Sequence, residues 1–165
     1  LIFAEKLQLM HQPDETKPPE IIDPGHVGNV TKINPLIITT LSDQGFIPVI
    51  APVGVGVNGE TYNINADLVA SKVACALSSG RLIYLTDVDG VKDASGQLIS
   101  SINAKTIKKM VDEKTISGGM IPKIEYALGA LKNGVKKVQI INGTKRHALL
   151  LELFTDKGIG TEVIE

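Results

Sequence analysis

The sequence is poor in cysteine: Cys75 stands alone. It therefore forms no internal disulfide and no cysteine-based metal cluster, which fits a reducing compartment. Charge of one sign is also missing. Seventeen Lys and Arg against eighteen Asp and Glu leave a formal net charge of -1, so there is no electrostatic footprint for nucleic acid or an anionic membrane surface. No apolar run approaches the ~20 residues that cross a bilayer. The chain opens on Leu1 rather than Met and shows no signal peptide; it reads as a piece of a longer, cytoplasmic polypeptide. Several chemical signatures are absent too. There is no G-x-x-x-x-G-K-[ST], no G-x-G-x-x-G opening a helix after a strand, and no G-x-S-x-G. His11, His26 and His147 lie in different segments without metal-ligand spacing, so no metal site is expected. Internal repeats and low-complexity tracts are lacking as well.

What is present is a core-forming composition, 43% apolar and 21% charged, arranged as alternating strand and helix signals. Asn34 and Pro35 predict a helix start, with Asn as N-cap, and Gly45 its end. FIPVIAPV, residues 46–53, reads as a buried strand. Asn58-Gly59 between short β-prone runs predicts a type I′ hairpin. Ala66, Val69, Ala70, Val73, Ala74 and Leu77 recur on one helical face, capped by Asn65 and stopped by Gly80. RLIYLT, residues 81–86, has the apolar centre of a strand covered on both faces. Further helices are expected over about 103–111, 120–133 (Ile121, Ile124, Leu128 and Leu131 inward) and 145–154. Strands are expected over 137–141 and after Gly160. Residues 11–24, with four prolines, form a loop or hairpin. This alternation predicts an α/β fold: a mostly parallel central sheet with helices on both faces, plus a β-hairpin. In such folds ligands bind beyond the carboxyl ends of the strands, which directs attention to the loops after Val53, Thr86 and Ile141.

Three segments bring polar residues to that edge. In YNINAD, Asn63 and Asn65 alternate along an extended entry to a helix and can point the same way, while Asp67 falls in the first turn. Helix capping and a dipole contact explain the same residues. In LTDVDGVKD a strand ends in Thr86-Asp87 and Gly90 permits a sharp turn. Such a loop can hold a purine or ribose through its backbone, or can be an ordinary Asp-Gly turn. In ISGGMIPK, Gly118-Gly119 precede a helix whose free N–H groups can meet phosphate oxygens. Lys123, in the first turn, adds a point charge. A flexible loop with a solvated lysine is the alternative.

In this order, NINAD, LTDVDGV, SGGMIPK and HALLLELFTDKGIGT resemble the acetylglutamate kinases of the amino-acid kinase superfamily, over nearly all of the chain and most strongly from Gly45 onward. The resemblance implies phosphorylation of the side-chain carboxylate of N-acetyl-L-glutamate by MgATP, in arginine biosynthesis, by an enzyme that is a homo-oligomer when complete. It implies that residues 1–45 end an amino-acid-substrate lobe and 46–165 form the ATP-binding lobe. By the same resemblance, Asn63 and Asn65 meet the substrate, Asp67 orients the catalytic lysines and Lys123 stabilises the transferring phosphoryl group. Asp87, Val88, Asp89, Gly90, Val91, Lys92, Thr115, Ile116, Ser117, Gly118 and Gly119 line the nucleotide site. Glu152 and Gly158 match an arginine effector site. Mg2+ enters with ATP.

The departures are specific. The family's glycine-rich substrate loop and second catalytic lysine are not found, so the isolated chain is expected to be inactive. Gln139 stands where arginine-regulated members usually have histidine, and Asn142-Gly143-Thr144 where they have a DGR-like turn. The alternatives are a non-catalytic nucleotide-binding or arginine-sensing module, or an aspartate, glutamate or uridylate kinase.

Overall fold

The computed structural model describes residues 1–11, 20–156 and 158–164. The chain divides into two compact units, Leu1–Ala76 and Leu77–Glu165.

In the first unit, β1 (Ile2–Lys6), β4 (Gly28–Ile33), β5 (Val53–Val55) and β6 (Thr61–Asn63) form a sheet of order β4-β1-β5-β6. β1 and β5 are parallel, and the outer pairs antiparallel. β2 (Leu9–His11) and β3 (Glu20–Ile22) pair antiparallel, so the hairpin expected over 11–24 has its flanks; residues 12–19 lie outside the described chain. Ile2, Ala4, Tyr62, Ile64 and Val69 make the core of this unit. Gly54 is required there: a Cβ would stand 2.7 Å from that of Ala4 and 2.8 Å from Ile64 Cδ1.

Four sequence expectations in this unit are corrected. Residues 46–53 are not a buried strand: pairing begins only at Val53, and Ile47 and Val49 are 90% and 96% exposed. Pro48 and Pro52 lack the N–H a ladder needs, and apolar content by itself supplies no pairing partner. The Asn58-Gly59 turn is not a two-residue type I′ loop. Gly56 N–H bonds Glu60 O at 2.8 Å, Gly59 N–H bonds Gly56 O at 3.1 Å, and only Gly59, at φ +90°, is left-handed. This is the longer loop in which one Gly takes the left-handed position, and the Glu60 carboxylate holds it by accepting from Asn58 N and Nδ2 at 3.0 Å each. Helix α1 (Leu36–Asp43) has Pro35 rather than Asn34 at its N-cap, with Asn34 Oδ1 accepting from Leu36 N–H one position earlier. Helix α2 (Ala66–Ala76) ends before Leu77, and Ser78, at φ +48°, takes the left-handed exit expected of Gly80.

In the second unit, β7 (Leu82–Thr86), β8 (Ser101–Asn103), β9 (Val138–Asn142) and β10 (Thr161–Ile164) form a sheet of order β7-β9-β10-β8. The pairs β7–β9 and β10–β8 are parallel, and β9–β10 antiparallel. β9 is buried at every position, the signature of a strand covered on both faces. β7 is not covered in this way, because Leu85 is 57% exposed. Helix α3 (Ala104–Asp112) is capped by Asn103, whose Oδ1 accepts Thr106 N–H at 2.8 Å; β8, directly before it, was not anticipated. Helix α4 (Met120–Lys132) buries Ile124, Ala127, Ala130 and Leu131, whereas Ile121 and Leu128 are only half-buried and line a cleft against α3. Helix α5 (Ala148–Phe154) starts three residues later than expected: His147, at φ +59°, is left-handed and breaks any helix from Lys145. The α/β class holds in both units.

Candidate functional site

The alternation read in NINAD is present in the first unit. Tyr62 and Ile64 are buried while Asn63 and Asn65 are exposed, so both amides leave the sheet and helix entry on the solvent side. Asn65 also caps α2, its Oδ1 accepting Leu68 N–H at 3.1 Å, which realises the structural reading for that residue. Asp67 sits half-buried in the first turn of α2, where a carboxylate complements the helix dipole.

In the second unit, the loops after β7 and before α4 meet. Val88, Gly90, Val91, Lys92, Thr115, Ile116 and Ser117, all expected nucleotide residues, line one cavity together with Met120. At about 230 Å³ it is below the ~300–1,000 Å³ of a site that engulfs a whole ligand. Gly118 and Gly119 stand beside this wall in open space, with nothing within 4 Å of an added Cβ. Gly118 is left-handed at φ +59° and Gly119 is the N-cap of α4, with no side chain bonding there. No side chain caps this helix start, but its donors are few: Pro122 has no N–H and the Ile121 N–H bonds Gly118 O at 3.2 Å, so the anion-binding potential there rests on the N–H of Met120 and on Lys123. Lys123, in the first turn, is half-buried, with Nζ 5.2 Å from the centroid of the Tyr84 ring. Tyr84 on β7 is 3% exposed, so a fixed ring face orients the ammonium.

Asp87 and Asp89 do not line the cavity. Asp87 accepts from Thr86 Oγ1 at 3.2 Å. The Asp89 carboxylate turns to the end of β9: Lys145 Nζ is at 2.6 Å, Asn142 Nδ2 at 3.0 Å and Lys92 Nζ at 3.4 Å. These partners, Lys145 first and Asn142 next, hold its carboxyl well below the usual carboxylate range. Asn142 Oδ1 in turn accepts Thr144 N–H at 2.9 Å and Thr144 Oγ1–H at 2.7 Å. Asp89 therefore ties the β7 loop to the β9 loop. The sign of the pH effect follows: a depressed carboxyl contributes stability that is complete above its unfolded value near ~4 and lost only as pH falls below that toward the folded value. In a carboxyl-carbon NMR titration Asp89 should stay ionised while ordinary carboxylates protonate around pH ~4, and Lys145→Met should move its midpoint upward. A wild-type midpoint near 4 would contradict the assignment.

Glu152 and Gly158 are also adjacent. The buried Glu152 carboxylate accepts from Gln139 Nε2, from Ile159 N–H at 2.7 Å and from Gly160 N–H at 3.2 Å. A Cβ on Gly158, left-handed at φ +60°, would lie 2.7 Å from Glu152 Oε2. The turn before β10 is thus wrapped around one carboxylate. Gln139 Oε1 is buried with no hydrogen-bond partner among the described residues.

Sequence reasoning missed Tyr84, Asn142 and Lys145. The rule that ligands bind beyond the strand ends did single out the loop after Ile141, the signal that could have found the last two.

The profile of the amino acid kinase family matches residues 3–142. The curated acetylglutamate kinase of Syntrophobacter fumaroxidans is 51% identical over 164 residues, 99% of this chain and 55% of that protein; that of Syntrophus aciditrophicus is 52% identical with the same coverage. The chain spans about half the length of these relatives. Among solved structures, N-acetylglutamate synthase from Neisseria gonorrhoeae, complexed with coenzyme A and L-arginine, superposes with a TM-score of 0.84 at 28% identity, over 98% of this chain and 36% of that one. A family profile spanning most of the chain, over elements that place a glycine pair and a lysine at one helix start, settles the affiliation: the chain belongs to the amino acid kinase family.

Proposed function

We propose that the chain is the nucleotide-binding portion of an acetylglutamate kinase, an enzyme that transfers the γ-phosphoryl of MgATP to the side-chain carboxylate of N-acetyl-L-glutamate. The observation that carries this is the half-identity to acetylglutamate kinases across 99% of the chain, which includes every segment assigned a role. In this reading Val88, Gly90–Lys92 and Thr115–Ser117 receive the nucleotide, the start of α4 and Lys123 receive its phosphates, and Asn63 and Asn65 receive the acceptor. Gly118 and Gly119 keep the phosphate path free of side chains. Mg2+ arrives on the nucleotide, bridging its phosphate oxygens. The acceptor carboxylate is already ionised at pH 7, so the protein need not abstract a proton. Its task is to align two anions and to neutralise charge as it develops. The complete enzyme would be a cytoplasmic homo-oligomer; among the described residues no helix is long and apolar enough to cross a membrane.

A second reading, control by arginine, is favoured by the orphaned Gln139 Oε1 beside Glu152, an acceptor suited to a guanidinium or ammonium donor. One assay addresses both. With the complete enzyme, MgATP and N-acetyl-L-glutamate, hydroxylamine should trap an acyl phosphate as its hydroxamate, and arginine should lower the rate. Turnover with aspartate, glutamate or UMP instead would reassign the substrate. Nucleotide binding without any turnover would favour the non-catalytic module, and a rate indifferent to arginine would remove the effector site.

A further inference from the structure

Thr161 opens β10 and is 0% exposed. Its hydroxyl is used twice. Oγ1 accepts the Val91 N–H at 2.9 Å and donates to Ile99 O at 2.7 Å. The strand it begins is held in place from behind, where Gly160 N–H bonds Glu152, and in front, where Glu162 N–H bonds Ser100 O at 2.9 Å. Gly90 lies directly on the same hydroxyl: a Cβ there would stand 2.6 Å from Thr161 Oγ1, with φ at +141°. Gly90 and Val91 are two walls of the cavity assigned to the nucleotide, yet Val91 lies 70 residues before Thr161 in sequence.

We propose that Thr161 is a positioning residue for nucleotide binding. Its buried hydroxyl fixes the Gly90-Val91 backbone, and so the shape of the wall that the base or ribose meets. This rests on the nucleotide reading of the cavity given above. The hydroxyl is the shared point between an N–H of the wall and a carbonyl of the segment returning to β8. Removing it leaves both groups buried and unpaired, and a buried backbone group without a partner drives local rearrangement. The loop relaxes, while the acceptor-binding asparagines belong to another unit.

The test uses the complete enzyme with Thr161→Val, which keeps the shape and removes the hydroxyl, and Thr161→Ser, which keeps the hydroxyl. Thr161→Val should raise the KM for ATP and the Kd for MgADP about tenfold, the order for one lost ordering hydrogen bond. The KM for acetylglutamate should change less than about twofold, and the Val91 amide should exchange faster with solvent. Thr161→Ser should retain wild-type nucleotide affinity. A Thr161→Val enzyme with wild-type ATP affinity overturns the proposal. So does a Thr161→Ser enzyme that binds nucleotide as poorly as a hydroxyl-free one, because packing would then be the cause. If Thr161→Val does not fold, Thr161→Ala, which also lacks the hydroxyl, takes its place in the same comparison with Thr161→Ser. The underlying reading has its own readout: MgADP should slow amide exchange at Thr115–Ser117 in the wild type. Its failure there removes the cavity as the nucleotide site and the proposal with it, whereas protection there with an indifferent Thr161→Val variant sinks only the role of Thr161.

Discussion

Lys123→Ala in the complete enzyme should lower kcat by about 10²–10³-fold while leaving the KM for acetylglutamate within a few-fold of wild type. The magnitude is that of removing one preorganised group aimed at charge that grows in the transition state. The structure supplies the preorganisation. Lys123 is in the first turn of α4, beyond Gly118 and Gly119, and its ammonium lies 5.2 Å from the centre of the buried Tyr84 ring. A lysine held in this way has lost much of its rotamer freedom before any phosphate arrives, so less entropy is spent during the reaction. A solvated surface lysine would behave differently: its alanine variant would keep near-normal kcat, and that result would remove Lys123 from the reaction. Steady-state kinetics at saturating MgATP separates the two.

Asp67→Asn should lower kcat by about two orders of magnitude or more, with little change in melting temperature. Two roles compete for this residue. As a first-turn carboxylate on α2, Asp67 stabilises the helix through its dipole. Asparagine would forfeit well under about 1 kcal/mol of that, because the capping is done by Asn65 Oδ1. In the proposed enzyme the carboxylate instead orients the lysines around the transferring phosphoryl group. Asparagine keeps the shape and removes the charge, and misplacement by about 1 Å costs roughly 10²-fold. Wild-type kcat in Asp67→Asn would leave the helix-end role standing alone. A variant that loses both activity and several degrees of melting temperature would show that the carboxylate holds the fold. The assay again needs saturating MgATP, so that weaker nucleotide binding is not read as slower chemistry.

Legibility in the sequence followed the range of the interaction. Helix α2 could be read because its apolar period and the Asn65 cap lie within four residues of each other. The residues that line the cavity of the second unit could be grouped because the ordered motifs, not any one of them, are distinctive. The partners of Asn142 and Thr161 could not be read, since each acts across 53 or 70 positions and polar side chains carry no mark of a distant hydrogen bond; only the loop that holds Asn142 was singled out, by the strand-end rule. The ties of Asp89 to Lys145 and Asn142 were not foreseen, because sequence does not say which way a carboxylate turns. The stretch over 46–53 misled for another reason. Its apolar run fits a buried strand, but burial depends on a neighbour, and the two prolines in it limit what could pair.

That same stretch governs how the isolated chain behaves in a test tube. Phe46, Ile47 and Val49 stand in water at 64%, 90% and 96% exposure, on a backbone that joins no strand ladder before Val53. Exposed apolar side chains on an unpaired segment favour self-association, and the missing donors of Pro48 and Pro52 work against strand-to-strand pairing there. Nucleotide affinities measured on the isolated chain should therefore drift with protein concentration, and affinities constant across a dilution series would show that these side chains do not drive association. A dilution series then becomes part of any titration, and a binding curve that shifts along it reports on colloidal behaviour before it reports on the cavity.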